Sequence, residues 1–370
     1  MSLLAVSGDV GGARAIIPVL DYLYSNNESF TIVNHSFLAD EAPKSWRRIP
    51  AVLKGDNSIE SLLARGCFKG LIFGTSVKDT LPLKIARLAK QFGLYTICLL
   101  DNWMNYRYRL EIDGEETFLP DIYIVMDEVA FREACEAGIP VSVLKVMGQP
   151  ALVSLGEEYH QWNIEDRCRN FETFGLNEEK KLIVFISEPA EADQGSGPEC
   201  PQYRGYTEKT VLKELCDRLQ PFSAKYQLGI IRHPREDTDE LDKVWQQFRG
   251  TIEGKLLEID SGRQAVFLAD AVAGMASILL YEAWLINKPV ISLQPGLCRP
   301  QLNFMRKREG VFCVTRDSDW DYAINAWLKE VDKENKNKAV KSDVELHTQA
   351  PVKIAKLVRD CLKNNIEADK

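Results

Sequence analysis

Short runs of apolar, mostly branched residues alternate along the chain with longer stretches in which apolar positions recur at helical spacing. Apolar runs of about four to eight residues separated by helices are typical of parallel strands covered on both faces. Predicted strands in the first half occupy residues 3–7, 30–35, 70–74, 95–100, 122–126 and 143–146. Helices are predicted between them at residues 12–24, 81–93 and 128–137. The second half repeats the pattern, with strands at residues 182–187, 228–232, 256–259, 271–273, 289–293 and 311–314.

A polar, helix-rich stretch separates the two series of strands, so the second series is a new layer rather than a continuation. We therefore predict an α/β protein with two Rossmann-like domains whose parallel sheets face a cleft. The predicted divisions are an N-terminal domain (1–150), a helical linker (151–178), a C-terminal domain (179–315) and C-terminal helices (316–370). In such folds ligands bind at the carboxyl ends of the strands, so residues directly after strands are the candidates for chemistry.

Composition narrows the class of partner. The 370 residues carry a formal net charge of −8, which argues against a nucleic-acid-binding protein. Nine scattered cysteines without C-x-x-C spacing, and four isolated histidines, indicate reduced thiols and no metal site. With neither a secretion signal nor a membrane-spanning apolar run, we expect a cytoplasmic protein that needs no cofactor or metal. The oligomeric state is open. Residues 44–48, KSWRR, would suit peripheral membrane contact, with a solvated loop as the alternative.

One glutamate lies where a charge is not expected. In the stretch ADAVAGMASILLYEAWLINKPVISLQPG (269–296), Glu282 shares a helical apolar stripe with Met275 and Ile278. Burying an unpaired carboxylate costs several kcal/mol, so Glu282 requires a fixed partner or a ligand. Either it accepts hydrogen bonds from a ribose diol, or it forms a salt bridge with Arg232 or Arg299.

The predicted start of that helix, from Gly274 to Ser277, consists of small residues and one methionine. Small side chains let an anion approach the free N–H groups at the positive end of a helix. A pyrophosphate at these amides, with the attached ribose at Glu282, would suit a sugar nucleotide.

Two strand ends in the first half are glycine-rich or carry a histidine. Gly11 and Gly12 follow the first strand in SGDVGGARA and permit close ligand approach, or simply strand–helix packing. The turn is not G-x-G-x-x-G, and Asn34 and His35 end the second strand where a nicotinamide-binding fold has an acidic residue, which disfavours hydride transfer. His35 is either a base or a structural residue.

The segment LLDNWMNYRYRLE (99–111) combines a carboxylate with aromatic and basic residues after a strand. Asp101 could take a proton from a hydroxyl, and Trp103 and Arg107 suit sugar recognition. In the alternative interpretation Asp101 caps the turn and pairs with Arg107.

Strand ends of the second half supply further polar groups. Glu188 ends the first of these strands and opens a loop rich in glycine and proline. Arg232 and His233 end the next strand, in RHPRE, and form an anion-friendly corner that Arg299 would complete. Surface arginines on a turn are the alternative.

The layout resembles the GT-B superfamily of nucleotide-sugar enzymes. GMASILLYEAWLINKPVISLQPG is similar to the superfamily's nucleotide-binding helix, with Glu282 and Ala283 as its E-A pair and Asn287 where a glycine is usual. RHPRE resembles the H-P element of capsule and teichoic-acid polymerising transferases. UDP-N-acetylglucosamine 2-epimerases carry H-R-x-E-N after the first strand of the second domain, where this chain has SEPAE. DNWMNYRYR, LPDIYIVMDE and VMGQP are similar to surface-polysaccharide proteins.

The leading hypothesis is a metal-independent glycosyltransferase that moves a sugar from a nucleotide-sugar donor to a glycan or small-molecule acceptor in surface polysaccharide biosynthesis. Asp101, or His35 in its place, would deprotonate the acceptor, while Arg232, His233 and Arg299 would stabilise the leaving diphosphate. The alternatives are a nucleotide-sugar 2-epimerase or hydrolase, and an inactive GT-B-like binding protein.

Overall fold

The computed structural model describes residues 3–112, 116–236, 238–259, 261–333 and 340–368. The chain divides into two compact units. Unit 1 combines Met1–Ser154 with Ser342–Lys370, and unit 2 is the continuous segment Leu155–Lys341. These bounds differ from the predicted ones, because the last helices return to unit 1 and the predicted linker helices belong to unit 2.

Unit 1 is a parallel sheet flanked by helices. Its strands are β1 (Leu3–Val6), β2 (Phe30–Asn34), β3 (Arg48–Pro50), β4 (Gly70–Gly74), β5 (Tyr95–Leu99), β6 (Ile122–Val125) and β7 (Leu144–Val146). Its helices are α1 (Val10–Ser25), α2 (Ser36–Glu41), α3 (Ile59–Ala64), α4 (Leu81–Gln91) and α5 (Glu128–Glu136). The described strands lie in the order β3-β2-β1-β4-β5-β6-β7, so the ends of β1, β4 and β5 are neighbours at the centre.

Unit 2 repeats the architecture. Its helices are α6 (Leu155–Gln161), α7 (Ile164–Phe174), α8 (Ala190–Gln194), α9 (Glu208–Leu219), α10 (Thr238–Gln246), α11 (Gly262–Leu268), α12 (Ile278–Leu285) and α13 (Trp320–Asp332). Its strands are β8 (Lys181–Ile186), β9 (Tyr226–Ile231), β10 (Gly254–Leu256), β11 (Ala271–Gly274), β12 (Val290–Leu293) and β13 (Val311–Val314). The described strands are all parallel, in the order β10-β9-β8-β11-β12-β13.

The chain returns to unit 1 in two final helices, α14 (Asp343–Thr348) and α15 (Ala350–Ala368). α15 contributes Ile354, Val358 and Leu362 to the core of unit 1, each without solvent exposure. A Cβ on Gly70 would overlap Leu362, so the small residue at the start of β4 allows the close approach of this helix. The last helix is therefore part of the hydrophobic core.

The predicted α/β class with two parallel sheets is confirmed. Strands Gly70–Gly74 and Val311–Val314 match the predicted bounds, and the others differ by one to three residues at an end. β3 was not predicted. The predicted helix start at residue 274 is wrong, because Gly274 is the last residue of β11 and α12 begins at Ile278.

The basic segment KSWRR leads into β3 and has its aromatic residue in the core. Trp46 is 3% exposed and packs edge-on against Phe30 at a centroid distance of 4.9 Å. Arg48 is held by the carbonyl oxygens of Ala39 and Ala42 at 2.6 and 2.8 Å. Trp46 is therefore not available for the membrane contact considered for KSWRR, since its side chain lies in the core. Among the described residues, none of the helices combines the length and apolar character that crossing a bilayer requires.

Candidate functional site

In unit 1 the glycine turn after β1 packs directly against two acidic side chains. A Cβ on Gly8 would overlap the Asp79 carboxylate, and a Cβ on Gly11 would overlap that of Asp101. Asp9 caps α1, its Oδ1 accepting from Gly12 N at 2.9 Å. The glycines therefore bring the ends of β1, β4 and β5 together, although the contacts are with side chains of the protein itself.

Asp101 forms a buried ion pair with Arg109. The Arg109 Nη1 to Asp101 Oδ1 distance is 2.5 Å, and the two side chains are only 7% and 10% exposed. The same nitrogen donates to the carbonyl of Thr75 at 3.2 Å. The predicted alternative partner, Arg107, instead donates to Glu111 at 2.9 Å on the surface.

Asp9 lies close to the Asp101–Arg109 pair and forms an acidic centre with it. Burial, and then the neighbouring charge of Asp101, raise the pKa of Asp9, while the Gly12 amide and Arg109 act in the opposite direction. The centre thus has two carboxylates and one guanidinium in a poorly solvated place. Asp9 followed a predicted strand, and its position before a helix is the signal that could have identified it as a cap.

His35 and Asp79 form a second pair in unit 1. The distance from His35 Nε2 to Asp79 Oδ2 is 2.6 Å, and both side chains are about one quarter exposed, at 25% and 26%. Asp79 lies between β4 and α4, and His35 directly follows β2. His35 is one of the predicted site residues, whereas its partner, 44 residues later, is not.

Trp103 is not available to a sugar. Its side chain is 1% exposed, and its Nε1–H donates to Asp127 Oδ2 at 2.8 Å. The predicted role in substrate binding therefore needs correction, because the indole fills the core and its polar atom is satisfied there.

In unit 2 two predicted features meet at the carboxyl end of the sheet. Glu188, after β8, accepts a hydrogen bond from the backbone N–H of Ala276 at 2.5 Å, in the turn between β11 and α12. Burial raises the pKa of Glu188, while the Ala276 hydrogen bond and Arg204 oppose that rise. The carboxylate stands where a phosphate oxygen could accept the same N–H, so this turn binds an anion supplied by the chain itself.

Two predicted site residues on either side of that amide have structural roles. Ser277 caps α12, its Oγ accepting from Leu279 N at 3.3 Å. Gly274 lies within β11, where a Cβ would lie 3.0 Å from the Ile186 carbonyl oxygen. The absence of a side chain at Gly274 therefore allows β11 to lie close to β8.

Glu282 has a partner that sequence analysis did not identify. Arg263 Nε lies 2.7 Å from Glu282 Oε2, and Arg263 Nη2 lies 3.3 Å from Oε1. Arg263 Nη1 also bonds both oxygens of Glu158 at 3.1 Å. The salt-bridge interpretation is thus the one the structure shows, but with Arg263 in place of Arg232 or Arg299. The buried charge no longer requires a ligand.

The arginines after β9 are engaged with acidic neighbours. Arg232 Nη1 lies 3.5 Å from Asp242 Oδ1, and Arg235 makes two bonds to Asp193 at 2.9 and 2.8 Å. The ring Nδ1 of His233 accepts from Arg235 N at 3.2 Å. Burial, and then Arg235, lower the pKa of His233, so the imidazole is neutral.

Glu236 supports this turn. It accepts from Ser187 Oγ and from His233 N, and burial raises its pKa to about 7. Arg299 lies elsewhere, bonded to Pro201 O at 3.0 Å and to Gln202 Oε1 at 3.4 Å. Arg299 therefore fixes the loop before α9.

No grouping of three or more His, Cys, Asp or Glu side chains suited to a metal occurs within the described ranges.

The fold has close counterparts among solved structures. UDP-GlcNAc 2-epimerase from Neisseria meningitidis bound to UDP-GlcNAc matches with a TM-score of 0.63 at 14% identity, over 97% of this chain and 100% of its own. A glycosyltransferase from Rickettsia africae matches with a TM-score of 0.60 at 13% identity, over 99% of this chain and 97% of its own. The wall teichoic acid polymerase TagF matches with a TM-score of 0.56 at 12% identity, over 99% of this chain and 90% of its own.

No protein-family model matches the chain, and no curated protein matches it in sequence. At identities of 12 to 14% the structural matches establish the fold and leave the substrate open. The chain has the GT-B fold, which it shares over nearly its full length with this epimerase, this glycosyltransferase and this wall teichoic acid polymerase.

Proposed function

We propose that the protein is a metal-independent glycosyltransferase, which moves a sugar from a nucleotide-sugar donor to a hydroxyl of a glycan or small-molecule acceptor. The observation that carries the proposal is the Ala276 amide, which already holds an anionic oxygen, that of Glu188. A backbone N–H directed at an anion is what a leaving diphosphate needs, since it costs no reorganisation during the reaction. His233 and Arg232 follow the neighbouring strand β9 and are assigned to the same diphosphate.

A second candidate is nucleotide-sugar 2-epimerisation or hydrolysis. The Neisseria meningitidis structure favours it through its fold. The segment SEPAE after β8 weighs against it, because it replaces the H-R-x-E-N signature. Release of nucleoside diphosphate without any acceptor would support this second candidate.

The proposal is tested by a thermal-shift screen against UDP, GDP, CDP, TDP and ADP and their common sugar conjugates. A ligand that binds only the native state at about 100 times its Kd stabilises it by about 2.7 kcal/mol. We expect one diphosphate and its sugars to raise the melting temperature, followed by acceptor-dependent release of that diphosphate. No shift with any member of the panel would contradict the proposal.

Glu188→Gln is expected to tighten binding of inorganic pyrophosphate, and of the diphosphate found in the screen, by about tenfold at pH 8, or about 1.4 kcal/mol. In the wild type the carboxylate competes for the Ala276 N–H and repels the phosphates. Because burial raises the pKa of Glu188, wild-type affinity is expected to rise as the pH falls and Glu188 takes up a proton. The variant should lack this dependence.

The matched control is Glu191→Gln, which alters a carboxylate near Glu188 in sequence that pairs with Lys209. Its affinity should equal that of the wild type. Isothermal titration calorimetry measures both variants. Weaker binding by Glu188→Gln would mean that the carboxylate contacts the ligand directly rather than occupying its place.

A further inference from the structure

We propose that Asp79 is a positioning residue that fixes His35 as the Nε2–H tautomer, so that Nδ1 is the atom that takes the acceptor proton. This inference rests on the proposed glycosyl transfer. It adds a residue that the sequence analysis did not select, and it decides between Asp101 and His35 as the base.

The tautomer follows from the hydrogen bond. Asp79 Oδ2 lies 2.6 Å from His35 Nε2, and an ionised carboxylate only accepts, so Nε2 carries the hydrogen. The lone pair is then on Nδ1, which has no hydrogen-bond partner among the described residues. When one ring nitrogen is committed to a carboxylate in this way, the other is oriented and ready to accept a proton.

Asp79 is held on three sides. Its Oδ1 accepts from Leu81 N at 2.9 Å, at the start of α4, and its own N–H donates to Ser76 Oγ at 3.2 Å. The absence of a side chain on Gly8 makes room for the carboxylate. Each Asp79 oxygen therefore has a defined partner, and the direction of the bond to His35 is fixed by the backbone.

Asp101 is a poorer base because its charge is committed. Its Oδ1 is 2.5 Å from Arg109 in a pair that is almost wholly shielded from water. A proton accepted there would leave the buried guanidinium without its counter-ion, which is costly. His35 is more accessible, and the imidazolium that forms would face an existing carboxylate.

The reaction balances with these groups. The acceptor oxygen forms a bond to the anomeric carbon as the bond from that carbon to the donor phosphate oxygen breaks. The nucleoside diphosphate leaves with the electron pair, and the hydroxyl proton moves to Nδ1 of His35. Asp79 stabilises the imidazolium and takes no proton. The carboxylate of a serine-protease triad has the same role.

The first experiment is a ¹⁵N NMR determination of the histidine tautomers at a pH where the rings are neutral. We expect His35 as Nε2–H in the wild type, as Nδ1–H in Asp79→Asn, whose amide NH2 faces Nε2 and donates to it, and as a mixture of tautomers in Gly8→Ala, which displaces the Asp79 carboxylate. Asparagine retains the oxygen that accepts from Leu81 N, so Asp79→Asn should fold. His160 is the internal reference, because its Nδ1 contacts the Gly156 carbonyl at 2.6 Å and must carry hydrogen.

The second experiment is steady-state kinetics with the donor found in the screen. His35→Gln is expected to lower kcat by about 10²–10⁴-fold with little change in the donor KM. His35→Gly should recover part of the lost kcat in added imidazole, and Asp79→Asn should lower kcat less than His35→Gln does. The matched control His160→Gln should leave kcat unchanged.

The outcomes distinguish failure of the His35–Asp79 assignment from failure of the proposed glycosyl transfer. An Nδ1–H tautomer at His35 in the wild type, or an Asp79→Asn variant with unchanged tautomer and kcat, overturns the assignment whether or not transfer occurs. If the tautomer is as expected but no donor in the panel binds, the proposed function fails and the base role fails with it. Imidazole rescue of His35→Gly together with loss of the tautomer in Asp79→Asn supports the assignment.

Discussion

Glu282→Ala is expected to lower the free energy of unfolding by about 3–5 kcal/mol, because it leaves Arg263 buried without its main counter-ion. Glu282 is 5% exposed, and both of its oxygens contact the guanidinium. Burial acts to lower the pKa of Arg263, and Glu282 and then Glu158 raise it. A guanidinium stays protonated even without that support, so the variant would keep a buried charge with one counter-ion fewer. Urea denaturation at neutral pH measures the change.

Glu158→Ala is the matched control, since Glu158 bonds the same guanidinium from an exposed position. Its side chain is 43% exposed, and an exposed ion pair contributes about 0–1 kcal/mol. Donor binding is measured on both variants. If Glu282→Ala abolished nucleotide binding while stability stayed within 1 kcal/mol of the wild type, the ribose-binding interpretation of Glu282 would be restored.

Arg109→Leu is expected to lower the free energy of unfolding by a similar amount, about 3–5 kcal/mol. Asp101 would remain in the core of unit 1 with no cation beside it. Asp9 adds to the cost, because burial and Asp101 already raise its pKa. Without the Arg109 cation, which opposes this rise, the folded-state pKa of Asp9 would lie further above its unfolded value. The loss should therefore be largest at neutral pH and shrink as the pH falls and Asp9 takes up a proton.

Arg107→Leu provides the comparison for this prediction. Arg107 lies in the same segment, but its side chain is 53% exposed and pairs with Glu111 four residues on. Pairs of this kind contribute about 0.3–0.5 kcal/mol. Thermal and urea unfolding between pH 4 and pH 8 measures both variants. Equal losses of stability in the two variants would contradict the buried-pair account, and so would an Arg109→Leu loss of stability that grows as the pH falls.

Much of the fold was accessible from the sequence because buried parallel strands are apolar throughout. Ile122–Val125 and Val290–Leu293 are examples in which all residues are buried. β3 was not predicted because it has only three residues, one of them a proline, and lies at the edge of the sheet. The start of α12 was misplaced because small apolar residues suit both a strand end and a helix start.

The candidate site was less accessible, because its partners are distant along the chain. The apolar stripe revealed that Glu282 needs a partner, but Arg263 lies 19 residues earlier on another helix. Trp103 in its aromatic segment has the composition of a sugar site. Only its bond to Asp127, 24 residues on, shows that it belongs to the core. Periodicity reports which positions are buried, whereas partner identity depends on how elements are folded together.

The return of α15 to unit 1 has a consequence for how the protein is made. Unit 2 is encoded without interruption, so a nascent chain can complete it while the ribosome is still translating. Unit 1 must wait with the part of its core that α15 covers exposed until Leu362 has emerged. Premature termination between Lys341 and that leucine would remove no candidate residue, yet it would leave an apolar surface open to aggregation.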